Sequence, residues 1–133
     1  MDHFEIKSDK SKNRLYIILE GFFLESEVEL ALDKLNYEMK NLKFGFDTII
    51  DITHMKTKPE FVKNLFFDQI IQRTKSEAKF IFNISSKNII VESFRSSKRI
   101  SNETNTRIRY FHSVEEAENF LERNSLLKNI YSN

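Results

Sequence analysis

Apolar and polar positions alternate from the start of the chain. Phe4-Glu5-Ile6-Lys7 has the period of two expected of a strand with one solvated side. A polar turn over Asp9–Asn13 leads into Leu15-Tyr16-Ile17-Ile18-Leu19, an almost continuous apolar run, and Glu20-Gly21 closes it. Two such runs joined by a short turn predict an antiparallel hairpin. The period then changes. Val28, Ala31, Leu32, Leu35, Met39 and Leu42 recur at steps of three and four, one stripe on a helix of about five turns. Ser26 and Glu29 have the spacing of a capping box for it, with a start at Glu25 as the alternative, and Gly45 is a natural stop.

Asp47-Thr48-Ile49-Ile50-Asp51-Ile52 reads as a central buried strand that delivers the chain to the sheet edge. A turn over Thr53–Lys58 follows. Thr57 and Glu60 then have capping-box spacing around Pro59, which a first helical turn tolerates. The helix they open carries Phe61, Val62, Leu65, Phe66, Phe67, Ile70 and Ile71, an apolar face wider than one sheet needs. Lys79–Ile84 is a further strand, and Ser85-Ser86-Lys87-Asn88 supplies caps for a helix from about residue 89 to 101. Arg107–Phe111 is the last strand. Ser113 and Glu116 cap a short helix bearing Val114, Ala117, Phe120 and Leu121.

The order β-β-α-β-α-β-α-β-α defines an α/β class. It predicts a two-layer β-α superhelix in which an N-terminal β-hairpin leads into βαβαβα, with helices mainly on one face of a mixed, mostly parallel sheet. Strands separated by helices run parallel with right-handed crossovers, so neighbouring strands in sequence order put every helix on one face. On that reading Ile50, Ile52, Phe80, Phe82, Ile84, Ile108 and Tyr110 face the helices. Ile49, Asp51, Ile81, Asn83, Arg109 and Phe111 form a second face, half apolar, covered in part by the hairpin, the tail or another subunit. Residues 1–122 make one domain. Residues 123–133 are a tail whose Leu126, Leu127, Ile130 and Tyr131 have helical spacing, enough for a turn or two that folds back or docks on a twin.

Composition narrows the function classes. The net charge of +1 gives no bulk attraction to nucleic acid or acidic membrane, and Glu92 and Glu103 dilute the late cluster Arg95, Lys98, Arg99, Arg107 and Arg109. The chain has no cysteine, which excludes disulfides, Cys-ligated zinc and thiol catalysis. Met1-Asp2-His3-Phe4-Glu5 lacks the features of a signal peptide and no apolar run suits membrane insertion, so a cytoplasmic location is expected. The 13 phenylalanines must be placed, most of them inside.

Candidate chemistry gathers at the carboxyl ends of the strands, where α/β sheets bind ligands. Thr53, His54 and Thr57 lie on the turn after the central strand, and His112 follows the last one; adjacent strands would bring the two histidines within reach of each other. Asp47 and Asp51 share a strand face but stand about 13 Å apart, too far for one metal, so strand-end hydrogen bonding is the simpler account. Ser85, Ser86 and Lys87 place hydroxyls, an ammonium and free N–H groups where an anion can sit, without the glycines of a P-loop. No nucleophile–base pair, metal spacing or cofactor fingerprint accompanies them, so neither an enzyme nor a cofactor is expected.

Three segments together carry a resemblance: Asn13–Phe22, Gly45–Ile52 and Ser113–Leu121. Across residues 3 to 122 the chain resembles small bacterial STAS-like (anti-sigma-factor-antagonist-like) proteins. The resemblance implies a stacked β-α fold and, together with the surplus apolar surface of the second helix and the tail, a regulatory, non-enzymatic role exercised by binding another protein, with the chain itself expected to be a homodimer. It implies as the alternative the binding of a small ligand, a lipid or an anionic metabolite or nucleotide. In regulatory members a serine at the start of the helix after the central strand is phosphorylated. Here the matching stretch Lys56-Thr57-Lys58-Pro59-Glu60-Phe61 holds neither serine nor glycine, with Thr57 its single hydroxyl, so the chain looks like a divergent branch without that switch. Thr53, His54, Thr57, Ser85, Ser86, Lys87 and His112 are the candidate ligand- or partner-binding residues.

Overall fold

The computed structural model describes residues 3–22, 25–56, 68–74, 77–84 and 107–131. Strands β1 (Phe4–Asp9) and β2 (Arg14–Leu19) form the expected hairpin. Its turn is closed by Asn13 at φ 51°, a left-handed conformation that asparagine tolerates better than most residues. The Asn13 side chain also accepts a hydrogen bond from the Lys43 N–H at 2.8 Å, tying the turn to the loop before the next strand. β3 (Phe46–Asp51), β4 (Ala78–Ile84) and β5 (Arg107–Phe111) follow in parallel, and the sheet order is β1-β2-β3-β4-β5.

Between β2 and β3 a 3-10 turn (Glu25–Glu27) runs directly into helix α1 (Val28–Met39). The Ser26–Glu29 capping box does not form. Glu27 occupies the N-cap in a helical conformation without a side-chain cap bond, because the 3-10 turn has already wound the chain and absorbed Ser26. Glu27 is bonded instead to His3, at 3.1 Å to its backbone N–H and 2.8 Å to its ring Nδ1. The helix is three turns long and ends well before Gly45. That glycine, at φ 86°, turns the chain into β3 while its N–H donates to the Glu77 carbonyl at 2.6 Å. α2 (Asp68–Thr74) precedes β4, and α3 (Val114–Tyr131) is the last described element.

The stripe on α1 is as expected. Val28, Ala31, Leu32 and Leu35 are buried with Ile6, Leu15, Ile17, Leu19, Phe46, Ile50, Ile52 and Ile81 in a first core, with Met39, Leu42 and Ile108 packed against it. The phase of β4 is reversed from the sequence expectation. Phe80, Phe82 and Ile84 pair with Asp47, Ile49 and Asp51 and share their face, which leaves Ile81 beside Thr48 on the α1 side. The alternation of Phe80, Phe82 and Ile84 with Ile81 and Asn83 groups the first three on one face but does not say which side of the sheet that face is on, and pairing with β3 decides it. The last helix also departs from the expectation of one helical layer. Ala117 and Leu121 of α3 pack on Ile49, Phe80, Phe82 and Ile84 to make a second core on the opposite face. There Phe82 meets Phe111 and Phe120 edge to face at 5.1 and 5.5 Å, an arrangement that suits the ring quadrupoles. α3 continues unbroken through residues 123–131 rather than giving way to a separate turn or two.

Candidate functional site

At the carboxyl edge the turn after β3 is fastened by its backbone. Asp51 accepts a hydrogen bond from the Thr53 N–H at 2.9 Å, a local turn that uses the aspartate structurally. The Gly21 N–H donates to the His54 carbonyl at 2.9 Å and the Lys56 N–H to the Gly21 carbonyl at 2.6 Å, so Gly21 and Met55 form a single parallel bridge. Met55 is buried, Thr53 half-buried and His54 exposed. His112 is exposed as well. Its N–H donates to Glu116 at 3.3 Å while Ser113 accepts from the Glu116 N–H at 3.2 Å, so this capping box forms with its return bond on the residue before the cap.

The two histidines are not on adjacent strands. β4 lies between β3 and β5, which separates the ends they follow by two strand spacings, about 10 Å. Among the described residues no group of His, Asp and Glu is placed to hold a metal ion. Thr57, Ser85, Ser86 and Lys87, with the Thr57–Glu60 capping box and the residue 89–101 helix, lie outside the described residues.

The second face of the sheet holds a different constellation. α3 covers its β3–β5 side and leaves the hairpin side open. A groove of about 640 Å³ runs there, lined by Lys7, Lys10, Tyr16, Ile18, Ile49 and Val114, with Asp9, Asp51 and Glu118 at its polar margins. At its inner end Glu118 binds two groups from β2. Tyr16 donates its hydroxyl to Glu118 Oε1 at 2.6 Å, and Arg14 Nη1 donates to Oε2 and, at 3.3 Å, to the Tyr16 oxygen. Lys12 adds a third contact to Glu118 at 3.8 Å. The Arg14 side chain is only 8% exposed, so its charge depends on these partners. Burial pulls the guanidinium down, yet Tyr16, Glu118 and Asp47 together hold it above its ordinary value. Burial, and then the bond to Glu118, push the Tyr16 phenol up. With Glu118 engaged at both oxygens, the cluster ties α3 to β2. Lys7, paired with Glu5 at 3.6 Å and 5.8 Å above the Tyr16 ring, and Lys10 are the cations at the rim.

Sequence reasoning passed over Arg14, Tyr16 and Glu118. One signal was present: Glu118 stands four residues after Val114 and three before Leu121, inside the apolar stripe of its own helix. A charge in that position needs a buried partner, and the first residue of β2 is the arginine that supplies it.

A third surface lies on α1. Among the described residues four large apolar side chains stay in solvent: Phe22, Leu30, Tyr37 and Phe44. Leu30 and Tyr37 are seven residues apart on the helix side away from the core, with Asp33 and Lys34 between them.

No protein-family model matches the chain, and neither does any curated protein sequence. Among solved structures it is similar to an uncharacterised protein from the DUF3478 family with a SpoIIAA-like fold from Shewanella loihica PV-4. The TM-score is 0.63 at 15% identity, over 89% of this chain and 91% of that one. No helix among the described residues is long and apolar enough to cross a membrane. Element order, the antiparallel hairpin at the head of a parallel sheet and this structural match together establish that the chain has the SpoIIAA-like, STAS-type α/β fold.

Proposed function

We propose that this protein is a non-enzymatic regulatory domain that works by binding another polypeptide, and that it does so through the outer side of α1. The observation that carries the reading is the set Phe22, Leu30, Tyr37 and Phe44. The described phenylalanines on the strands and on α3 are buried or packed against a core, whereas these four side chains are 61% to 84% exposed along one helix and its two connections. Clustered apolar side chains left in water cost free energy that a partner recovers by covering them. Chemical cross-linking in cells, read by mass spectrometry, tests this. Cross-links from Lys34 and Lys40 to other polypeptides are expected in the wild type and are expected to be lost in Leu30→Glu/Tyr37→Glu. An unchanged cross-link profile refutes it.

The groove supports a second reading, a small amphipathic anion held on the hairpin side of the sheet. Its volume falls within the range of small-molecule sites, roughly 300–1,000 Å³, and it sets apolar Ile18, Ile49 and Val114 beneath the ammonium groups of Lys7 and Lys10. Native mass spectrometry of protein purified from cells tests this reading. A bound small molecule that disappears in Ile18→Trp, which fills the groove, is expected; an unliganded mass in every preparation removes the reading.

A further inference from the structure

We propose that the partner of the α1 face is a second copy of this chain, the two helices packing antiparallel about a two-fold axis that passes between Asp33 and Lys34. The inference rests on the reading of α1 as a docking surface and adds the identity and the geometry of what docks.

A two-fold interface uses one patch twice, so the patch must complement itself on reversal. The α1 face has that property. At 100° per residue Leu30, Asp33, Lys34 and Tyr37 fall within an arc of about 100°, opposite buried Val28, Ala31, Leu32 and Leu35. Antiparallel pairing about the Asp33–Lys34 midpoint sets Leu30 of one protomer against Tyr37 of its partner, and the reverse. It sets Asp33 of one against Lys34 of its partner, twice. Both are exposed, and Asp33 makes no ion pair within its own chain among the described residues. Lys34 reaches Glu38 at 3.1 Å from a side chain that is still 46% exposed, so it can also serve a carboxylate across the axis.

The same operation accounts for the other two exposed rings. Phe22 lies in the connection before α1 and Phe44 in the one after it, nearly equidistant in sequence from the proposed axis. Reversal brings Phe22 of one protomer toward Phe44 of its partner. Both apolar pairs and both charge pairs are thus satisfied by one axis, whereas a parallel arrangement would set Asp33 against Asp33 and Lys34 against Lys34. The three aromatic rings and one leucine offer on the order of 500 Å² per copy, below the roughly 800 Å² per partner of a standard interface. The dimer is therefore weak and reversible.

Sedimentation velocity of the full chain at low salt, from about 10 µM to about 1 mM, measures the association. A monomer–dimer equilibrium is expected for the wild type. Asp33→Lys and Lys34→Asp each set like charges across the axis twice, and each should weaken the dimer about tenfold. The double exchange Asp33→Lys/Lys34→Asp reverses every pair and should restore association to within about threefold of wild type. Leu30→Gln, which adds no charge beside Lys34, should abolish it, and far-UV circular dichroism with urea unfolding confirms that each variant is folded. A wild type that stays monomeric to about 1 mM, or a double exchange no better than its singles, overturns the proposal. A monomeric chain that still cross-links other polypeptides through Lys34 removes self-pairing alone and leaves the docking reading standing.

Discussion

Glu118→Ala isolates the cost of stranding the Arg14 charge. In the wild type that guanidinium is 8% exposed and bonded to Glu118 and to Tyr16, which itself depends on Glu118. Removing one member of a fully buried ion pair costs about 3–5 kcal/mol. Two features reduce this figure. The Glu118 side chain is 22% exposed, so water can enter the space it leaves, and Asp47 retains some attraction for Arg14. A loss of about 2–3 kcal/mol is therefore expected. Arg14→Met should cost less, about 1–2 kcal/mol, because Glu118 keeps Tyr16, Lys12 and partial access to solvent. Arg14→Met/Glu118→Leu removes both charges and fills the same space with apolar atoms. It should lie within about 1 kcal/mol of wild type, well short of the sum of the singles. Urea unfolding at neutral pH with a common m-value measures all three. A Glu118→Ala loss below about 0.5 kcal/mol would show that Arg14 was adequately solvated without its partner, and additive singles would show that the pair is not coupled; either result refutes the argument.

Three smaller tests address other parts of the fold. Gly45→Ala meets nothing within 4 Å of the added methyl, so its cost is that of holding alanine at φ 86°, about 1–2 kcal/mol by thermal unfolding. Burial pushes the Glu38 carboxyl up, but hydrogen bonds from Ser8 at 2.7 Å, from Lys34 and from Asn41 outweigh it and hold it below its ordinary 4.5. A carboxylate depressed in the folded state contributes stability above its unfolded value and loses it as pH falls through the folded one. Glu38→Gln should therefore lower stability by about 1 kcal/mol at pH 7 and flatten the acid limb of the stability profile below about pH 4.5. Ser113→Ala removes the acceptor for the Glu116 N–H and should cost about 1 kcal/mol, with faster amide exchange in the first turn of α3 as the local readout.

Candidate chemistry was less legible than fold. Type and order of elements follow from period, but a site requires distances between residues far apart in sequence. His54 and His112 were grouped because each follows a parallel strand, and the intervening β4 separates them. Arg14 and Glu118 are 104 positions apart, and only the packing of α3 brings the Glu118 side chain to β2. Asp47 and Asp51 fared better, because the rise of a strand already sets their separation, and Asp51 does serve the local turn that aspartate favours.

What the sequence determined by itself was local: a hairpin whose connection is too short for anything but an antiparallel pair, an α1 stripe with one possible inner side, and a capped start to the last helix at Ser113. Each is governed by neighbours within a few residues, where steric and hydrogen-bonding rules act directly. The tertiary structure decided two further matters. The alternation in Lys79–Ile84 groups Phe80, Phe82 and Ile84 but leaves open which side of the sheet they take, so only pairing with β3 could send Phe80 and Phe82 away from α1. The right-handed crossover rule binds a helix lying between two parallel strands, and among the described residues no strand follows α3. Free of that constraint, it packs where Phe80, Phe82 and Phe111 present apolar surface and where Arg14 presents a charge for Glu118 to neutralise.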